Sequence, residues 1–393
     1  MMPQLRLIIL AFSCFPASAF AQIAFTNGVH SLEITGSIST YYNHRFMKPG
    51  EDNLRKNRFR LRDAQIQLEG RYRDQFEYEF QVDFVDLASS STGAIDGENP
   101  GLMDAYIIYK GLSFIDIKFG YGKTPYSRSS QVPFIFSPYW QRVELVRGDV
   151  FARRDVGVTL MKSFWKQRVQ IQAGAYNGIG EISLRGDNDP SGSLEYIGRV
   201  DFAYPARYRY RDIDDRISPV LMVNLGLNAR YTDKSQPESS VFPPGAGGEY
   251  GIKVIDGVKS GYGFDVSAQY KGFSAQFEMH QFRMTPPDPT SALFLGVDPS
   301  IHEGYVRSGG YYGQLNYFAK NWQSIFSARY EALNINDLAD GELQRISAAY
   351  AYQMKGYDAM FKVQYFHVLA EEEVLDPLRW TDQIRLGFQY NFK

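Results

Sequence analysis

The 393-residue chain sets 42 Lys and Arg against 44 Asp and Glu, a formal balance of −2, and its 28 Tyr and 28 Phe help bring the aromatic share to 15%. Charges this evenly matched supply no general attraction to nucleic acid. Beyond the N-terminus no window of about eighteen consecutive apolar residues occurs, which excludes a spanning helix and leaves either a secreted β-protein or an outer-membrane barrel.

Met1–Ala21 reads as a secretory signal, with Arg6 as its single charge, Leu7–Phe12 as its apolar core and Ala19-Phe20-Ala21 as a small-x-small cleavage site. Cys14, the only cysteine, leaves with that segment, so residues 22–393 form one domain without disulfide or thiolate chemistry. From residue 31 the dominant pattern is alternation at period two. Between Phe76 and Phe84, Phe76, Tyr78, Phe80, Val82 and Phe84 alternate with Glu77, Glu79, Gln81 and Asp83. That pairing suits a strand with lipid on one side and water on the other.

The pattern predicts sixteen strands, at 31–42, 58–73, 75–87, 101–111, 113–122, 154–164, 167–177, 194–204, 219–232, 260–271, 273–284, 308–319, 322–334, 343–354, 357–368 and 380–392. Most are longer than the roughly five to six residues of soluble strands and match the about nine to eleven of tilted membrane strands. Their connections alternate between short and long, the asymmetry of an all-β transmembrane antiparallel up-and-down β-barrel. Only 205–218, ARYRYRDIDDRIS after Pro205, is a long member of the short set. A soluble sandwich, the competing architecture, does not produce that alternation.

The third long connection, Lys123–Arg153, is the most informative. Pro125, Pro133 and Pro138 bar it from a central strand, and Tyr126, Phe134, Phe136, Tyr139 and Trp140 argue against disorder. Lys123, Arg128, Arg142, Arg147 and Arg153 against Glu144 and Asp149 leave it at +3. It is expected to fold into the barrel and narrow it to a cationic constriction.

The strand before it in the basic region carries a register conflict. Ile66, Leu68, Gly70 and Tyr72 form an apolar face, yet Arg58, Arg60 and Arg62 share its parity. Arginine facing lipid costs about 2–4 kcal/mol near the midplane. Either the basic end stands above the membrane, or a bulge near Asp63-Ala64 resets the parity. The bulge is the preferred solution, and it stacks Arg58, Arg60 and Arg62 down the lumen roughly 6.8 Å apart. Such cations attract anions by about 4 kcal/mol per contact at about 4 Å and an effective dielectric of about 20.

GYGKTPYS (120–127), with RLRDAQIQLEG (60–70), DAYIIYKGL (104–112) and RRDVGVTL (153–160), resembles the phosphate-selective porin O and P family. The resemblance implies a sixteen-stranded outer-membrane porin, usually a homotrimer in outer-membrane lipid, with its third long loop folded inward. It implies that Lys123 is a constriction lysine, that Arg58, Arg60 and Arg62 belong to an arginine ladder, and that Arg154-Asp155 anchors the loop's exit. Arg142 and Glu144 are separated by Val143 where the family often has Glu-Arg adjacent, and the loop holds one lysine where selective members have more.

His30, His44, His280, His302 and His367 show no close metal-ligand spacing, so neither a metal nor another cofactor is expected. Asn177-Gly178-Ile179-Gly180 lacks a third glycine and a following helix, and reads as loop. The sequence therefore predicts a passive channel for small anions such as phosphate or polyphosphate, without a chemical step. Its lining residues would be Lys123, Arg58, Arg60, Arg62, Arg128, Arg142 and Arg147. The alternatives are a general or other-nutrient porin of the same fold, and a surface receptor or adhesin barrel.

Overall fold

The computed structural model describes residues 23–46, 57–85, 101–148, 150–180, 192–207, 210–235, 252–288, 290–294, 297–298, 300, 302–338, 342–369 and 381–392. The signal segment at 1–21 and the acidic run at 371–373 lie outside them. The strands are β1 (Ile23–Thr26), β2 (His30–Arg45), β3 (Asn57–Tyr72), β4 (Phe76–Asp83), β5 (Leu102–Tyr109) and β6 (Asp116–Lys123). After the third long loop come β7 (Arg154–Phe164), β8 (Val169–Tyr176), β9 (Glu195–Tyr204), β10 (Met222–Lys234), β11 (Gly257–Tyr270) and β12 (Phe273–Thr285). The chain ends with β13 (Val306–Ala319), β14 (Ser324–Asn334), β15 (Glu342–Tyr357), β16 (Ala359–Val368) and β17 (Gln383–Phe392).

Strands β2–β17 make a closed sixteen-strand antiparallel ring, each paired with its sequence neighbours, and β17 pairs with β2 from Gln383↔Arg45 to Phe392↔Gly36. The alternation read in the sequence sorts the two faces. Phe59, Phe80, Ile107, Phe119, Leu227 and Leu315 stand exposed on the outside, while Arg199, Asp265, Glu278, Arg345 and Lys362 are buried within. Apolar-out and polar-in is the order that lipid demands.

One strand was not foreseen. Ile23–Thr26 pairs with β2 at Ser31–Ile34, just beyond the point where β17 stops at Gly36. The Asn27-Gly28 turn makes this hairpin, with Gly28 at φ 80° and the Asn27 side chain accepting from the His30 amide at 2.8 Å.

The parity conflict in β3 is resolved by a bulge. Ser39 pairs with Asp63 and the next residue, Thr40, pairs with Leu61, so Arg62 is the extra residue. Phe59 and Leu61 consequently face out, at 82% and 47% exposure, while Arg62 and Asp63 are both buried. The bulge sits one residue before the predicted position, and Arg58 and Arg60 share the inward parity of Arg62.

Short links close one end of the barrel, as at Arg73-Asp74 and Lys271-Gly272, where positive φ angles make the tight turns. The exception again is the link between β9 and β10, and it is folded back into the bore. Ile213 packs against Phe318, Ile325 and Ala351, while Ser274 on β12 and Asn316 on β13 both donate to the Asp212 carbonyl, at 2.8 and 3.0 Å.

Deleting Arg62 alone removes the bulge, sets Leu61 next to Asp63 and leaves Arg58 and Arg60 facing inward, whereas deleting Leu61 together with Arg62 turns both arginines toward lipid. Each then costs up to about 2–4 kcal/mol at the midplane. The double deletion is expected to fold into detergent or lipid at markedly lower yield and to unfold at lower urea concentration than the single deletion. Equal unfolding of the two would show that the inward parity of these arginines does not matter to the barrel.

Candidate functional site

The third long loop leaves β6 at Lys123 and re-enters the wall at Arg154. Its neck is tied by the Thr124 amide, which donates to the Arg153 carbonyl at 2.9 Å. Beside the neck Arg154 pairs with buried Asp104 at 2.8 Å, and Asp155 accepts from the amides of Gly178 and Gly180 at 2.7 and 3.1 Å. These contacts hold three segments together: the loop's exit, β5 and the start of the next long loop. The prolines forbid a ladder here, so the backbone instead makes short helical turns at 128–131, 134–136 and 144–146.

From its neck the loop crosses the bore. The Glu144 amide donates to Glu331 on β14 at 2.8 Å, eight places from β6 round a sixteen-strand ring. Nearer the middle, the Trp140 amide donates to Gln364 at 2.7 Å and its indole to the Lys362 carbonyl at 3.3 Å. Cations of the wall return the contact. Lys362 donates to the Ser137 carbonyl at 2.7 Å, Arg62 to the Trp140 carbonyl at 2.8 Å, and Arg385 to the Gln141 side chain at 2.5 Å. Donors that are buried must find acceptors, and here the loop's own oxygens serve. Burial pushes the phenols of Tyr126 and Tyr139 upward, so both remain neutral.

The loop also carries an apolar face. Val143, Leu145, Val146, Val150 and Phe151 pack with Ile252 and Ile255, with Leu293 and Phe294, and with the inward Phe282, Met284, Val306, Leu333 and Leu343. Burying each such side chain stabilises by about 1.5–3 kcal/mol. The loop's apolar face therefore fills the bore against β12–β15, across from the wall of β3–β6. There the inward Gln67, Glu77, Glu79, Gln81, Tyr106 and Lys118 remain half-buried.

The predicted site residues divide accordingly. Arg128 does not line the open lumen. It is wholly buried, donating to Gln276 at 2.5 Å and to the Arg211 carbonyl at 2.8 Å, with Asp212 at 3.4 Å. Arg142 likewise serves the loop, donating to the carbonyls of Ser129 and Val132 at 2.8 and 3.0 Å. Arg147 pairs with Glu144 at 3.0 Å, and Arg62 pairs with Asp63 at 2.5 Å with its guanidinium 3.7 Å from the Phe134 ring centre. Arg58 and Arg60 are half-buried on the inner face.

Lys123 stands at the loop's neck, and Lys118 beside it is a residue the sequence reading passed over. The Lys118 ammonium donates to the Lys123 carbonyl at 3.0 Å and lies 4.4 Å from the Tyr106 ring centre. That of Lys123 lies 3.4 Å from the Gln131 carbonyl. Among the described residues neither lysine forms an ion pair. Asp104 is occupied by Arg154, and Glu79 accepts from Gln67 at 2.9 Å and from Tyr106. Lys118 was legible in principle, because it alternates with the lipid-facing Phe119 and so must point inward.

Residues 34–131 match the family model for phosphate-selective porin O and P. Over that stretch the chain carries the porin O and P signature. It spans β2 to the first turn of the in-folded loop, and so includes the bulge and both lysines. No curated protein matches the chain. Among solved structures, OprB of Pseudomonas putida is similar at TM-score 0.57 and 11% identity, covering 93% of this chain and 94% of its own. The outer membrane channel DcaP of Acinetobacter baumannii gives 0.56 and 12% over 93% of this chain and 99% of its own. OmpT of Vibrio cholerae gives 0.56 and 12% over 94% and 99%. At these identities the likeness is one of fold, and the fold is that of an outer-membrane porin.

Replacing Arg154 with Met strands the Asp104 carboxylate in a buried site. Removing one partner of a buried pair costs about 3–5 kcal/mol. The Arg154→Met barrel is expected to unfold at correspondingly lower denaturant, and Arg154→Met with Asp104→Asn to recover much of the loss. Equal unfolding of wild type and the single variant would exclude the pair as the loop's anchor.

Proposed function

We propose that the protein is a passive outer-membrane channel that favours small anions such as phosphate, and that it acts as a homotrimer. The observation that carries the anion preference is the pair Lys118 and Lys123, two ammonium groups at the neck of the in-folded loop with no ion-pair partner among the described residues. A partly desolvated cation that is not locked into an ion pair raises the local potential for a passing anion. Arg58 and Arg60 extend positive charge along the same inner wall, in the fork geometry that suits tetrahedral oxyanions. The printed description of the matching family names phosphate selectivity. One of the solved OmpT structures is described as a trimer form, which supports the same assembly here.

Conduction requires several moderate sites rather than one deep one. Most cations of the bore are already engaged by carboxylates or carbonyl oxygens, which keeps any one of them from trapping an anion. A second reading, a channel for general solutes, is favoured by Glu79, a half-buried inward carboxylate near the same two lysines. The two differ in charge selectivity.

Purified protein in a planar bilayer under a salt gradient is expected to show a reversal potential on the anion side, with phosphate reducing chloride current. Lys118→Glu with Lys123→Glu is expected to lower the anion-to-cation permeability ratio by on the order of tenfold, equivalent to about 1.4 kcal/mol. A ratio near one in wild type, unaltered by the double substitution, would establish the general-solute reading.

A further inference from the structure

The link between β9 and β10 is on the side of the short turns, which in an outer-membrane barrel is the periplasmic side. It nevertheless enters the bore and meets the loop that enters from the opposite side. Arg128 of the loop is the junction. Wholly buried, it donates to the Arg211 carbonyl at 2.8 Å and lies 3.4 Å from the Asp212 carboxylate. Arg211 in turn lays its guanidinium 4.3 Å from the ring centre of Phe136 in the loop and 5.7 Å from that of Tyr357 at the end of β15.

The turn is also firmly seated. Asp214 accepts from the Ser218 amide at 2.9 Å and the Gly272 amide at 2.9 Å. Gln269 donates to the Arg211 carbonyl at 3.2 Å, and Tyr210 donates to Asp201 at 2.7 Å. With Ile213 packed on three inward residues, this is a folded insert. Its remaining charged pair, Arg211 with Asp215 at 2.5 Å, is only partly covered, with side chains 24% and 18% exposed. The two inserts together close the bore on the side of β12–β15.

We propose that residues 210–218 form a second constriction, which sets the periplasmic exit of the channel and braces the loop through Arg128, with Arg211 and Asp215 as the charged groups that a permeating ion passes last. This inference rests on the reading of the protein as a channel. It makes the path a passage between two inserts from opposite ends, so that conductance depends on both.

The test uses the full-length protein in planar bilayers with known orientation. The Arg211→Cys variant is modified from one side and then the other with a charged methanethiosulfonate reagent. Modification from the short-turn side is expected to lower single-channel conductance by about a third or more, with an anionic reagent reducing anion current more than a cationic one. Replacing 207–217 by a short Gly-Ser turn is expected to raise conductance about twofold, and Arg128→Met to raise current noise as the loop loosens. The cysteine variant keeps the proposal open to test where the replacement does not fold. Conducting wild type, together with an Arg211→Cys variant whose modification changes nothing, overturns the second constriction and leaves the channel reading intact. Wild type that does not conduct overturns both.

Discussion

Everything inside the barrel depends on the ladder between β17 and β2. An unpaired strand edge in lipid leaves a row of amide and carbonyl groups without partners, each costing several kcal/mol. Closure from Gln383↔Arg45 to Phe392↔Gly36 removes that edge, and it also fixes which parity of every strand faces in. Gly36 lets the final pairing form, since a Cβ there would lie 2.3 Å from the Phe392 ring. Once the ring is closed, the inward face becomes a crowded polar surface whose groups must be satisfied by one another or by whatever folds in.

The chain meets that demand with loop backbone. Lys362, Arg62 and Lys259 all direct donors at main-chain carbonyls, of Ser137, Trp140 and Val150 respectively, and Arg385 donates to a loop side-chain amide. Carboxylates on the wall act in the reverse sense, Glu331 and Glu278 accepting from the amides of Glu144 and Ser129. The in-folded loop is therefore held by the same inward charges that a simple reading would assign to the permeating ion. That explains why Arg128 and Arg142, conspicuous in the sequence, are structural. The proposed selectivity falls instead to the two lysines at the neck, which form no ion pair among the described residues.

The legible parts were those with a local physical signature. Strand periodicity gave the sixteen spans, and the clash between Ile66 and the arginines of β3 pointed to a bulge because lipid penalises the alternative. The alternation of short and long links identified 205–218 as anomalous without saying where it goes. What remained hidden depends on distant pairs: Arg128 with Gln276 and Asp212, or Trp140 with Gln364, are separated by 84 to 224 residues. No period or spacing encodes those meetings; they follow from the closed ring and the path of the loop through it. The first strand, β1, was missed for a different reason, being four residues long and adjacent to a segment read as a signal.

The apolar cluster beneath the loop has an electrical consequence. A membrane potential of about 100 mV supplies about 2.3 kcal/mol for one elementary charge carried the full way across. Swinging the loop aside would strip Val143, Leu145, Val146, Val150 and Phe151 from their neighbours, at about 1.5–3 kcal/mol apiece. Even two or three gating charges moving part of that distance do not match such a cost. A greasy wedge thus holds the loop against physiological voltages, in addition to the inward charges that bind its backbone.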